Sequence, residues 1–273
     1  MKNLLQNKTL FITGVILVFF LLAAVFASVI APYDPIAVDS QNRLLVWAAN
    51  HIMGTDEFGR DIFSRLLTGL RPTLIIATSS MLLAMIFGTS FGVIAGVLGG
   101  IVETIIIRLT DVILCFPPML LALMIVGFWG AGIYNLIFTL CITYMPTFIR
   151  LTYSSARKIS KLEYIEAQKS LGAAWPRIIF KGVLPNISSQ IIVQFSITFG
   201  SAILLESGLS FLGMGVVPPT PSLGVMIASA KGYLEQNLSM LIWPSVALVM
   251  LSLAVNIFGD ALRDKLDPRL RRR

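Results

Sequence analysis

Six stretches of this chain are each long and apolar enough to cross a lipid layer, and no other feature narrows its possible folds so far: 10–31, 73–98, 112–128, 133–149, 187–205 and 240–259. A hydrocarbon core about 30 Å thick takes about 20 apolar residues as helix. Inside it no water satisfies the backbone, so a span must close its own hydrogen bonds, as a helix does and a lone strand does not. The expected fold class is all-α: a polytopic membrane protein with about six transmembrane helices. Composition agrees, since 56% of the 273 residues are apolar and 13% charged, outside the range of ordinary soluble domains. The third and fourth stretches are short, and Gly127, Trp129, Gly130 and Gly132 favour two elements over one kinked one. The first follows Lys2 and Lys8 as a signal peptide would, but it outruns the ~7–15 apolar residues of a cleaved core. It is expected to be a retained helix.

Charge then sets the orientation. Between these spans, 16 of the 21 Lys and Arg residues fall on one side: Lys2 and Lys8, Arg108, seven from 150 to 181, and six from 263 to 273. Arg43, Arg60, Arg65, Arg71 and Lys231 fall on the other. Positive residues concentrate on the cytoplasmic side, so both termini are expected there, in a multi-pass protein of the inner or plasma membrane. The net charge of +7 is then mostly topological and is not a nucleic-acid footprint. The terminal Arg run could also touch anionic lipid.

Several chemistries lack their residues. Cys115 and Cys141 both fall within apolar stretches and read as small buried side chains. His51 is the only histidine, and one imidazole without clustered Cys or carboxylates does not make a protein metal site. Glu163 and Glu166 could be an acid–base pair, but solvated helix charges explain them without a pocket. The phosphate-cradling GxxxxGK[ST] pattern is absent, so this chain is expected to be non-catalytic, without a cofactor of its own.

Patterns along the spans suggest how they pack. Gly88, Gly92, Gly96 and Gly100 recur every four residues, a stripe that lets a neighbouring backbone come close. Gln190, Gln194, Thr198 and Ser201 form a polar stripe on the fifth span. It could line a wet translocation path or hydrogen-bond between helices. Residues 206–234 are too broken by Gly and Pro for one helix and are expected to form a partly re-entrant loop. Ile62, Phe63, Leu66, Leu67 and Leu70 have helical spacing, read as an amphipathic helix lying at the interface. Residues 1–71 would then form an N-terminal helix plus an external segment, and 72–273 a core membrane domain. In the external segment Gly54 and Gly59 would allow tight turns, and Asp56, Arg60 and Asp61 could form local ion pairs.

The cytoplasmic insertion at about 150–186 is read as a helix, a Gly turn and a second short helix ending at Pro185. Glu166, Ala167, Gly172, Leu184 and Pro185 resemble the EAA loop of permease subunits in bacterial ABC importers, with Gln168 where Ala is usual and Gly182 at a usually aliphatic site. HIMGTDEFGRDIFSRL, SFLGMGVVPPTPSLG and FGDALRDKLDPRL are similar, at comparable separations, to the second permease of the dipeptide, oligopeptide and nickel importers. The resemblance covers nearly the whole chain. It implies the type I importer permease fold, a second related permease, two ATPase subunits that hold ATP and Mg, and an extracytoplasmic solute-binding protein. It also implies that Glu166, Ala167, Gln168, Gly172, Leu184 and Pro185 couple the ATPase to the membrane domain. Gly54, Thr55, Asp56, Gly59, Arg60 and Asp61 would dock other subunits or the delivering protein, or else only stabilise their loop. For solute, the GRDIFSRL and GDALRDKLDP spellings lean toward nickel or another metal chelate, with short peptides as the alternative. A self-sufficient secondary transporter would be expected to show internal repeats and charges deeper in the spans.

Overall fold

The computed structural model describes residues 8–266, so Lys2 and the Arg run at 269–273 lie outside the described residues. Among these residues the chain is helical, without a β-strand: α1 (Lys8–Val25), α2 (Ala27–Ile30), α3 (Ile62–Leu98), α4 (Gly100–Leu114), α5 (Pro118–Trp129), α6 (Ile133–Ile159), α7 (Glu163–Ser170), α8 (Trp175–Arg177), α9 (Leu184–Phe211), α10 (Leu223–Ala230) and α11 (Ser239–Leu266). Among the described residues five helical stretches are long and apolar enough to cross a membrane, and α4 and α5, which meet at 94°, are so only when taken together.

The tightest packing joins α3 to α6, and the glycine stripe is its cause. A Cβ added at Gly88 would sit 2.6 Å from Phe148 Cβ, and one at Gly96 would sit 2.8 Å from the Tyr153 carbonyl. At Gly92 it would overlap the Thr152 hydroxyl. Only hydrogen at these positions lets the two backbones approach so closely. Gly100 does not belong to the stripe: it lies past the end of α3, at φ +61°, with open space around it.

Two span boundaries also differ from the sequence reading. The expected interfacial helix at 62–70 is the start of α3, which continues through Pro72 to Leu98, and the 71/72 boundary falls inside it. Ile62, Leu66, Leu67 and Leu70 point into the core rather than along a lipid surface. Arg71, counted as a loop charge, reaches the free carbonyls that end α1, with Nε 2.5 Å from Ala24 O and Nη2 2.7 Å from Val25 O. A cation at a helix C-terminus satisfies both its acceptors and its dipole. The third stretch is not straight from 112 to 128: the chain breaks at 115–117, before Pro118 opens α5. Cys115 lies at this break and is exposed, whereas Cys141 is buried.

The expected break begins later than 206, since α9 runs on to Phe211; beyond it the chain is irregular apart from α10, which packs back against α9 and α11. The fit depends on small residues, since a Cβ at Gly224 would overlap the Ser207 carbonyl. Glu206, fully buried near the end of α9, accepts hydrogen bonds from Ser210 Oγ (2.8 Å) and Ser207 Oγ (3.1 Å).

Candidate functional site

The 160–183 region folds as a compact bracket at one end of the bundle. Its anchor is Ile165 on α7, fully buried among Val93, Val97, Ala156, Ile178 and Ile187 of α3, α6 and the entry to α9. Gly182 has no side chain because Ile165 takes the place, with a Cβ there 2.6 Å from Ile165 Cδ1. The carbonyl of Gly182 accepts from Asn186 Nδ2 (2.7 Å) and Tyr164 Oη (3.2 Å). The departure from the usual aliphatic residue is thus a packing adjustment.

Gly172 ends α7. The Ala173 amide donates to Gln168 O (3.0 Å) and the Gly172 amide to Lys169 O (2.9 Å), the paired bonds of a Schellman cap, which needs its glycine left-handed. Gly172 has φ +76°. Glu166 and Ala167 are exposed on α7, while Gln168 is half-buried. Leu171, at the tip, is 87% exposed; sequence reasoning did not single it out, although an apolar residue beside a turn glycine was a visible signal.

Leu184 and Pro185 lie elsewhere than expected. The second short helix does not end at Pro185: it passes through a π-helical turn at Ile178–Val183 directly into α9. Pro185 cannot donate to the carbonyl four residues back and its ring crowds that position; the wider π turn accommodates it. The second half of the bracket and the fifth span are therefore one continuous helical stretch from 175 to 211.

The polar stripe of α9 divides. Gln190 is exposed and its Oε1 accepts from Ser155 Oγ of α6 at 2.5 Å. Gln194 is half-buried and Ser201 exposed. Thr198 is buried and spends its hydroxyl on Gln194 O, 2.8 Å away in its own helix. Periodicity identified a common face but could not say which members were covered.

At the opposite end, Gly54, Thr55, Asp56, Gly59, Arg60 and Asp61 are all buried, so as they stand they cannot meet an incoming protein directly. They build the segment. Asp56 accepts from the Phe58 and Arg60 amides (2.8 and 2.9 Å) and from Arg60 Nε (2.6 Å), while Arg65 Nε stands 3.3 Å away. Asp61 caps α3 through the Ser64 amide (2.8 Å) and lies 3.0 Å from His51 Nδ1. Leu45 and Thr55 carbonyls both accept from Asn237 Nδ2 at 2.9 Å, tying the segment to the start of α11. Its exposed residues include the apolar Trp47 (78%) and Ile52 (68%) beside polar ones such as Asp39, Arg43 and Asn50.

Two ion pairs join α4 to α6, and the sequence could not pair them: Arg150 Nη2 to Asp111 Oδ1 at 2.7 Å, and Arg157 Nη1 to Glu103 Oε2 at 2.8 Å. The Tyr153 hydroxyl also bonds Glu103.

The profile of the family described as "Binding-protein-dependent transport system inner membrane component" matches residues 88–272. That described as "N-terminal TM domain of oligopeptide transport permease C" matches residues 1–46. The chain is 39% identical over 255 residues to the di/tripeptide transport system permease protein DppC of Pseudomonas aeruginosa, covering 91% of this chain and 84% of that protein. It is 36% identical to the glutathione transport system permease protein GsiD of Pectobacterium atrosepticum, covering 99% and 90%. Among solved structures, an inward-facing form of the MetNI methionine ABC transporter superposes with a TM-score of 0.60 over 74% of this chain and 96% of that one. At 19% identity this last likeness speaks for the fold alone, that of a type I importer permease.

Proposed function

Because the chain belongs to the family of inner-membrane components of binding-protein-dependent transport systems, we propose that it is one permease subunit of an ATP-driven importer of short peptides. A second related permease completes the path, two ATPase subunits bind ATP and Mg, and an extracytoplasmic binding protein delivers solute. Both termini and the 160–183 bracket face the cytoplasm. The observation that carries this reading is the bracket itself: a short helix, packed through Ile165 and closed by Gly172, joined by a four-residue turn to a rod that runs into the membrane domain. A rigid lever of this kind can pass a movement of the ATPase to the path. Glu166, Ala167 and Leu171 offer its contact surface, and Gly172, Leu184 and Pro185 hold its shape.

For the solute, the relatives favour the alternative over the metal chelate toward which the sequence leaned. The two named above handle di- and tripeptides or glutathione, as does the dipeptide permease of Haemophilus influenzae, 35% identical over 272 residues. None of these three relatives is named for nickel or a metal chelate. The test is uptake of labelled dialanine and of radioactive nickel by cells lacking this chain, with and without its restoration. Loss of dialanine uptake alone is expected. Loss of nickel uptake alone would reinstate the metal reading, and uptake that survives removal of the ATPase subunits would mark a secondary transporter.

A further inference from the structure

Where the external segment meets the helices, the side chains close around a small cavity. Glu57 of the segment, Arg65 of α3, Met226 and Ser229 of α10 and Met240 of α11 line it. The room open to the centre of a water molecule is about 10 Å³, and one held water needs about 10–15 Å³ on that measure. The space is that of a single water molecule.

The polar lining is unevenly spent. Glu57 is 6% exposed, and its Oε1 accepts from Arg60 Nη2 at 3.2 Å. Its Oε2 is buried without a hydrogen-bond partner among the described residues. A buried carboxylate oxygen left unpaired is costly, because it has given up its water for nothing. Asp56, also on the cavity wall, is an acceptor already occupied by two amides and two guanidinium groups. Arg65 donates through Nη1 to Pro35 O at 3.0 Å and holds Nε 3.3 Å from Asp56, which leaves Nη2 as a donor. Ser229, half-buried on α10, brings a hydroxyl that can give or take a proton.

A metal ion does not suit this lining. Asp56 and Glu57 already face Arg60 and Arg65, so the charges balance. Among the described residues no three His, Cys, Asp or Glu side chains gather as a metal site. A neutral molecule that both donates and accepts does suit it. We propose that the cavity is a binding site for one water molecule, which donates to Glu57 Oε2, accepts from Arg65 Nη2 and takes Ser229 Oγ as its third partner. Three partners is the usual number for a buried water. The bridge gives the external segment a polar link to α10, beside the direct link that Asn237 makes to the Leu45 and Thr55 carbonyls. Such a bridge holds nearly as well as a direct bond.

The test exposes the complete importer, in detergent, to brief X-ray pulses, which make hydroxyl radicals from bound and bulk water alike, and reads methionine oxidation by mass spectrometry. Met226 and Met240 are buried, at 5% and 3% exposure, and so is Met81, at 0%, which does not line the cavity. Met226 and Met240 should be oxidised while Met81 is spared. Ser229→Leu fills the space with carbon and should abolish their oxidation, with ATP hydrolysis by the variant importer showing that it is assembled. Hydrogen peroxide in the dark, which oxidises only what bulk solvent reaches, should spare all three. In a cryo-electron microscopy map of the wild-type importer sharp enough to show waters, one peak should lie about 2.7–3.2 Å from Glu57 Oε2, Arg65 Nη2 and Ser229 Oγ. Sparing of Met226 and Met240 by the pulse would overturn the proposal, as would a map without that peak. Oxidation of both by peroxide would mean an open channel in place of a held water, and contacts of about 2.0–2.6 Å would mean a cation; either result also overturns it.

Discussion

Replacing Gly172 by valine tests whether the bracket must be closed as it is seen. The residue sits at φ +76°, where an L-amino acid pays about 1–2 kcal/mol relative to glycine, and a β-branched one no less. No heavy atom lies within 4 Å of a Cβ built there, so the penalty is conformational and not a clash. About 1–2 kcal/mol corresponds to a 5- to 30-fold fall in the closed turn relative to opened forms. Since Gly172 belongs to none of the buried clusters, thermal unfolding of the membrane domain should barely move. In the reconstituted importer, solute taken up per ATP hydrolysed should fall, by up to the same 5- to 30-fold. Asparagine tolerates left-handed backbone, so Gly172→Asn should recover most of the coupling. Wild-type coupling in Gly172→Val would refute the reasoning. Equal damage from valine and asparagine would show that the missing side chain matters, not the positive φ.

Three further outcomes follow from the packing. Gly92→Ala puts a Cβ 2.5 Å from the Ile149 carbonyl and should destabilise the α3–α6 contact by about 1–3 kcal/mol, read as a lower unfolding midpoint in detergent. Arg60→Ala leaves the buried Asp56 and Glu57 carboxylates short of their partner and should cost about 3–5 kcal/mol; the check is the yield of folded protein, with Arg60→Lys losing less. On α9, cysteine at Ser201 or Gln190 should react with an aqueous thiol reagent much faster than cysteine at the buried Thr198, and equal rates would mean the helix turns or breathes.

The spans were legible because lipid demands long apolar runs, and the bracket was legible because Gly172 and its neighbours follow a recognisable spacing. Errors arose where one signal had two physical outcomes. Arg71–Pro72 looked like a loop, yet α3 runs through it because Arg71 is satisfied by the carbonyls ending α1. Pro117–Pro118 was a visible break that the apolar run around it concealed. Asp56, Arg60 and Asp61 were legible as a source of local ion pairs, and Asp56 does pair with Arg60, but sequence shows charge and not burial, nor that Asp61 faces His51. The Asp111–Arg150 pair joins residues 39 apart, a contact only tertiary structure reveals.

The central claim is that this chain passes peptides across the membrane only when partner subunits hydrolyse ATP. Its most direct test is uptake of labelled dialanine into proteoliposomes holding this chain with its partner permease, ATPases and binding protein, ATP being supplied on the side of the 160–183 bracket. The account predicts accumulation that requires both ATP and the binding protein, and that stops with a non-hydrolysable ATP analogue. Accumulation driven by an ion gradient, without ATP, would contradict it.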